Sequence, residues 1–221
     1  WIFNSQLPQR LLWFYGALLT LVGIQGALGA LTVVQLLPSG IVTAHLALGL
    51  ILVALMSFIS QRLLEINGSP APFWWRFMGI SSIVLVIFQC LLGGRMATTW
   101  SAQKCLSYGA NCELLDIHRT FAIPVSLFIL MFVITSLSIE GWSRTQWPLL
   151  TLVLCLLGLQ IALGVSSVHL GLSEPMVTVG HQLFASLLVA VLAALSSRRP
   201  NIPEPIVLNS VEEPLLEVCH G

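Results

Sequence analysis

The chain has 221 residues, of which 57% are hydrophobic and only 8% charged, with nine basic side chains balancing nine acidic ones. A water-soluble domain carries about 25% charged residues, so this composition excludes a soluble globular protein and implies a chain immersed in lipid. The zero net charge also removes any polybasic argument for nucleic acid.

Crossing a bilayer takes about 20 predominantly apolar residues, and six stretches qualify: Leu11–Leu37, Ile41–Ile59, Phe73–Arg95, Ile117–Ile139, Trp147–Val168 and Met176–Leu195. The predicted fold class is therefore all-α, a polytopic membrane protein of six transmembrane helices. Trp1 is not preceded by a basic segment or followed by a small-residue cleavage site, so the start reads as a truncated or processed end rather than a signal peptide. Turn signals separate the spans at Pro38-Ser-Gly40, Asn67-Gly-Ser-Pro70, Glu140-Gly-Trp142 and Ser173-Glu-Pro175. In the last of these Ser173 is expected to cap the sixth span, with Pro175 just inside it. Trp74, Trp75 and Arg76 read as interfacial anchors of the third span, and Pro124 predicts a kink in the fourth. From Arg198 onward the chain turns polar and Pro-rich, with Glu204, Glu212, Glu213 and Glu217, and reads as a flexible tail in which Cys219 and His220 carry no signal. One face of the membrane would hold Arg10, Arg62, Arg76, Arg144, Arg198 and Arg199, the other only Arg95, Lys104 and Arg119. The positive-inside rule then places both termini in the cytoplasm.

A short phrase recurs three times: Gln25-Gly-Ala-Leu-Gly29, Gln89-Cys-Leu-Leu-Gly93 and Gln160-Ile-Ala-Leu-Gly164. Each copy precedes a histidine near the start of the next span, at His45, His118 and His181, and a small residue follows four positions on, at Gly49, Ala122 and Ala185. The chain is thus three repeated hairpins, each carrying Gln-x-x-Leu-Gly on its first helix and His-x-x-x-small on its second. The three histidines fall at similar depth, on the non-cytoplasmic side. Ionisable groups inside a membrane are costly and point to function; the plain alternative is an interhelical hydrogen bond.

Neutral imidazole is the commonest transition-metal ligand. A closed zinc site needs four ligands, and neither Cys90 nor Cys155 is placed to complete one; both read as buried, inert thiols. A haem needs only axial ligands and a flat apolar slot between helices, so haem is the preferred reading for the histidines. The small residue after each histidine and the glycine after each glutamine would let a porphyrin approach the backbone, although glycines equally serve close helix packing. Gln25, Gln89 and Gln160 most simply join helices by hydrogen bonds, with a cofactor-facing role as the alternative. Arg95, Lys104 and Arg119 are the cations available to haem propionates on that side. Arg119 follows His118 directly and points about 100° away around the helix, so it reaches a propionate or snorkels to the interface. His169, in the last loop, has no counterpart in the other repeats. The middle unit carries a longer loop containing Cys105 and Cys112, turned by Tyr108, Gly109 and Asn111. On an oxidising side these read as a disulfide, with a redox-active dithiol as the rival.

The phrases Gln25-Gly-Ala-Leu-Gly-Ala-Leu-Thr-Val33, Ile41-Val-Thr-Ala-His45, Gln160-Ile-Ala-Leu-Gly-Val165 and Glu174-Pro-x-x-Thr-x-x-His181-Gln182 resemble the haem A synthase family, most closely its cyanobacterial members. The resemblance runs from end to end except for the tail. It implies an eight-helix bundle of two four-helix halves, one binding haem b and the other oxidising haem O to haem A. Carried over residue by residue, His118 and His181 match the two axial iron ligands of the haem b half. His45 matches a metal-binding histidine of the catalytic, haem O half, and Cys105 and Cys112 match a cysteine pair. On this mapping residues 1–72 are a remnant of the catalytic half, residues 73–197 the haem b half, and residues 198–221 the tail.

The chain has six spans rather than eight, and begins at what resembles the loop between the family's second and third. The resemblance thus implies that a glutamate and a partner for His45 would lie upstream. Glu65 falls on the wrong side to replace that glutamate, so the chain as given is expected to hold one haem and to lack a complete active site. The functions left open are conversion of haem O to haem A for terminal oxidase assembly, a non-enzymatic b-type cytochrome or assembly subunit, and a pigment-binding subunit with histidines on chlorophyll magnesium. Expected partners are the lipid bilayer, haem O, haem O synthase or oxidase assembly factors, and further copies of the chain, in a bacterial plasma membrane or thylakoid.

Overall fold

Eight helices account for the fold of the chain in a computed structural model that describes residues 9–64, 69–110 and 112–200. They are α1 (Gln9–Val34), α2 (Ser39–Leu64), α3 (Phe73–Thr98), α4 (Ser101–Tyr108), α5 (Glu113–Ser138), α6 (Trp142–Thr145), α7 (Trp147–His169) and α8 (Pro175–Ser197). Six of them, all but α4 and α6, are long and apolar enough to cross a membrane. The all-α, six-span expectation is met, and no strand occurs among the described residues. Glu65, Asn111 and the acidic tail with Cys219 and His220 lie outside the described residues.

The boundaries differ from hydropathy in one informative place. The fourth span begins at Glu113 rather than Ile117, because Glu113 and Asp116 occupy its first turn, where negative charge meets the positive end of the helix dipole. The same helix runs unbroken through Pro124. At the sixth span the expected cap is displaced: Glu174 is the N-cap, while the Ser173 hydroxyl donates back to Leu170 O at 2.7 Å. Pro175 does take the first helical position, where its missing N–H costs nothing.

The repeat extends to the backbone of the short turns. After α1, Leu36 and Leu37 are left-handed (φ 55° and 61°); after α7, Gly171 and Leu172 are (φ 59° and 60°). Leu37 N donates to Thr32 O at 2.8 Å and Leu172 N to Ser167 O at 2.9 Å. The two turns thus close the helix end with the same bonding pattern. In the middle unit Trp100 (φ 58°) instead leads into α4, and Cys105 of α4 is bonded to Cys112 at the start of α5.

α3, α5, α7 and α8 enclose the core. α3 packs on α5 and α8, and α8 on α7, while α5 touches α7 only lightly. α2 seats against both α8 and α3, and α1 packs on α2. In lipid, apolar side chains gain little by hiding from one another, so close helix approach and buried hydrogen bonds hold such a bundle. Both are present. Gly79 of α3 faces Ser196 of α8, where a Cβ would collide with the serine hydroxyl. Trp75, fully buried between Phe132 and Trp142, donates its indole N–H to Leu195 O at 2.8 Å. Ser57 ties α2 to Ala190 O of α8 at 2.6 Å.

The exposed face is apolar. Phe73, Phe77, Ile80, Val84 and Phe88 form an outward stripe on α3, and Ile123, Leu127, Leu130 and Ile134 one on α5. Buried polar residues are mostly serines, and Ser82, Ser136 and Ser196 satisfy themselves on the carbonyl one turn back at 2.6–2.8 Å. An apolar exterior around self-bonded serines is the arrangement that a lipid solvent demands.

Candidate functional site

The three repeat histidines stand at one level. His45 is the seventh residue of α2, His118 the sixth of α5 and His181 the seventh of α8. Gln25, Gln89 and Gln160 each stand nine residues before the last residue of α1, α3 and α7. With 1.5 Å of rise per residue, each histidine is brought level with the glutamine phrase of its own hairpin.

The glycine closing each phrase is where the histidine lies. A Cβ added to Gly29 would sit 3.0 Å from His45 Cε1, one on Gly93 3.2 Å from His118 Cε1, and one on Gly164 3.0 Å from His181 Cε1. In all three the ring carbon is nearest, then Nδ1, then Nε2. Three hairpins of different sequence thus seat an imidazole in one pose. The space that these glycines leave is filled by the histidine ring of the next long helix, a form of close helix packing.

The glutamines work on the same side chains. Gln89 Nε2 donates to the His118 backbone carbonyl at 2.6 Å and lies 3.2 Å from His118 Nδ1. Gln160 Nε2 lies 3.3 Å from His181 Nε2, and His181 Nδ1 lies 3.0 Å from the backbone carbonyl of Gln160. The first unit differs. Gln25 Nε2 rests 3.0 Å from the Cβ position of Gly49, and His45 Nδ1 is buried without a hydrogen-bond partner. The Oε1 atoms of Gln25, Gln89 and Gln160 are likewise buried and unpartnered among the described residues.

His118 and His181 belong to two helices that both pack on α3. They project from α5 and α8, on faces continued by the buried Leu115, Val125 and Ile129 and by Ala185, Leu188 and Leu192. No group of three or more His, Cys, Asp or Glu able to hold a metal ion occurs among the described residues, so no closed four-ligand zinc site is built. Two half-buried imidazoles on different helices, beside orphaned amide oxygens, fit a centre that asks the protein for two axial ligands and an apolar slot.

The other candidates are placed less centrally. Arg95 and Lys104 are exposed. Arg119 lies on an exposed face of α5 with Asp116, Thr120 and Ile123, turned from the face of His118. His169 ends α7 and is exposed. Cys90 is buried as expected, but Cys155 is exposed on the outer face of α7, because α7 meets the bundle through Val153, Leu156 and Leu157 instead.

Residues 1–193 match the family COX15-CtaA, described as cytochrome oxidase assembly protein. The chain belongs to that family. The match covers five spans whole, most of the sixth and all three histidine seats, and leaves out the end of α8 and the tail. No curated protein and no solved structure matches this oxidase assembly family member.

Proposed function

We propose that this member of the cytochrome oxidase assembly family binds haem b between α5 and α8, with His118 and His181 as the axial ligands. The observation that carries the reading is the pair of matching imidazole seats, on two helices that both pack on α3. Bound there, the iron would supply one-electron redox chemistry. The chain's own residues would hold the two rings against Gly93 and Gly164 and exclude water through the apolar core. Arg95 and Arg119 are the candidate cations for the propionates.

The finer reading is that the protein serves haem A formation, with haem O as substrate and haem A as product. His45 would be the metal-ligating histidine on the haem O side, since Gly29 seats it like the other two. The second reading is a non-enzymatic b-type cytochrome or assembly subunit that uses only the His118/His181 centre. It is favoured by the first unit, where His45 Nδ1 is buried without a hydrogen-bond partner while His118 Nδ1 and His181 Nδ1 each have one. The termini are proposed to be cytoplasmic and the Cys105–Cys112 loop to face the opposite side.

Purified wild-type protein is expected to show a low-spin bis-histidine haem spectrum, and His118→Ala and His181→Ala each to lose it by high-spin conversion or loss of pigment. An unchanged low-spin spectrum in both variants would overturn the ligand assignment. Expression with a haem O source, followed by pigment chromatography, separates the two functions. Haem A above a no-protein control supports the synthase reading, and haem b alone supports the cytochrome.

A further inference from the structure

In an α-helix the carbonyl of residue i bonds the N–H of residue i+4, and the side chain at i+4 covers its remaining lone pair. The repeated phrase puts glutamine at i and glycine at i+4, so the Gln160 carbonyl is left uncovered about one turn below Gly164. The His181 ring fills the space above Gly164, with its Nδ1 3.0 Å from that carbonyl. The His118 ring also rests on its glycine, Gly93, but its Nδ1 lies 3.2 Å from the side-chain amide nitrogen of Gln89 instead.

We infer that Gly164 is a positioning residue: it opens a backbone window through which the His181 Nδ1–H donates to the Gln160 carbonyl, fixing the tautomer that leaves Nε2 bare as the ligand nitrogen. Metal-binding histidines commonly donate their other ring N–H to a carbonyl, which sets the ring orientation and makes the ligand more basic. Here the acceptor is main chain, so the glutamine identity is not what fixes the tautomer. The Gln160 side-chain amide has other work and stands 3.3 Å from the bare Nε2 of His181, whereas that of Gln89 bonds the His118 carbonyl at 2.6 Å and itself reaches His118 Nδ1. The first unit has the seat on Gly29 without the bond, since His45 Nδ1 has no partner. The inference rests on the haem reading for its purpose, but the tautomer is a property of the chain alone.

The test uses the full chain in detergent with ¹⁵N-labelled histidine, each signal assigned by removing one histidine at a time. In the haem-free wild type, His181 is expected to carry the proton on Nδ1, with Nε2 bare. Gly164→Ala places a methyl 3.0 Å from His181 Cε1; it should shift the ring and return His181 to a mixture of tautomers. Gly158→Ala on the same helix, where nothing lies within 4 Å of the added Cβ, should change nothing, and Gln160→Leu should leave the Nδ1 proton in place. After haem loading, Gly164→Ala should raise the midpoint potential relative to wild type and Gly158→Ala, because an imidazole without its acceptor stabilises ferric iron less. A wild-type His181 protonated on Nε2 would overturn the inference without any variant. So would a Gln160→Leu that moves the tautomer while Gly164→Ala does not. A wild type that shows the expected tautomer but takes up no haem would leave the seat standing and remove the haem reading. A low-spin haem indifferent to Gly164→Ala would do the reverse.

Discussion

Close approach of main chains is set by single residues, and Gly79 and Trp75 carry most of it where α3 meets α8. A side chain at Gly79 has no room beside Ser196, so Gly79→Leu must push the helices apart. Overpacking of this kind costs about 1–3 kcal/mol, and denaturant unfolding in detergent should show a loss of that size. Trp75 contributes both volume and a hydrogen bond. Trp75→Phe keeps most of the packing with Phe132 and Trp142 but loses the bond to Leu195 O. Intramembrane hydrogen bonds average about 0.6 kcal/mol, with a ceiling near 1.7. Trp75→Ala adds a cavity and should cost roughly 3–5 kcal/mol. A Trp75→Phe loss as large as that of Trp75→Ala would mean that the bond, not the ring volume, holds the site.

Hairpin turns carry a different kind of strain. Leu36 adopts the left-handed conformation that Gly171 takes in the equivalent turn. An L-residue pays roughly 1–2 kcal/mol there, partly offset for glycine by its larger entropy loss of roughly 0.5–1 kcal/mol. Leu36→Gly is therefore expected to leave stability unchanged or raise it by up to about 1 kcal/mol, and the β-branched Leu36→Val to lower it by more than 1 kcal/mol. Equal losses from both would show that the leucine side chain, although exposed, is needed there. In the long hairpin, α4 has few helical neighbours beyond α3 and α5, and the Cys105–Cys112 bond closes a loop with a sequence separation of 7. By the loop-entropy relation such a closure is worth about 2–3 kcal/mol. Reduction should loosen α4 first, read as faster hydrogen exchange at Ala102–Leu106 than in the spans.

Across the whole molecule the first hairpin is not an appendage. α2 lies against α8 and α3, Leu50 belongs to the main core, and Ser57 bonds Ala190 O across the sequence. Two co-expressed pieces, residues 1–68 and 69–221, are expected to purify together through a tag on either one. Recovery of the second piece alone would mean that the α2–α8 contact is too weak to hold without the connecting chain. The prediction bears on function, because His45 reaches the level of His118 and His181 only if α2 stays docked.

Composition and periodicity determined the solvent, the six spans and the three-hairpin repeat, since each depends on local runs of apolar residues or on a phrase visible in one dimension. Gln25, Gly29 and His45 and their counterparts were legible as a set for the same reason. What the glycines do was not legible, because a glycine in an apolar helix can serve a ring, a cofactor or a neighbouring helix, and only the three-dimensional path of the next helix decides among them. The exposure of Cys155 and the shift of the α8 cap from Ser173 to Glu174 were hidden likewise: which helix face meets the bundle, and which way a turn hydroxyl points, are set by packing. The sequence by itself showed that three histidines share a depth. The tertiary structure decided that the helices bearing His118 and His181 flank a common neighbour, because α5 and α8 both pack on α3 whatever their distance along the chain.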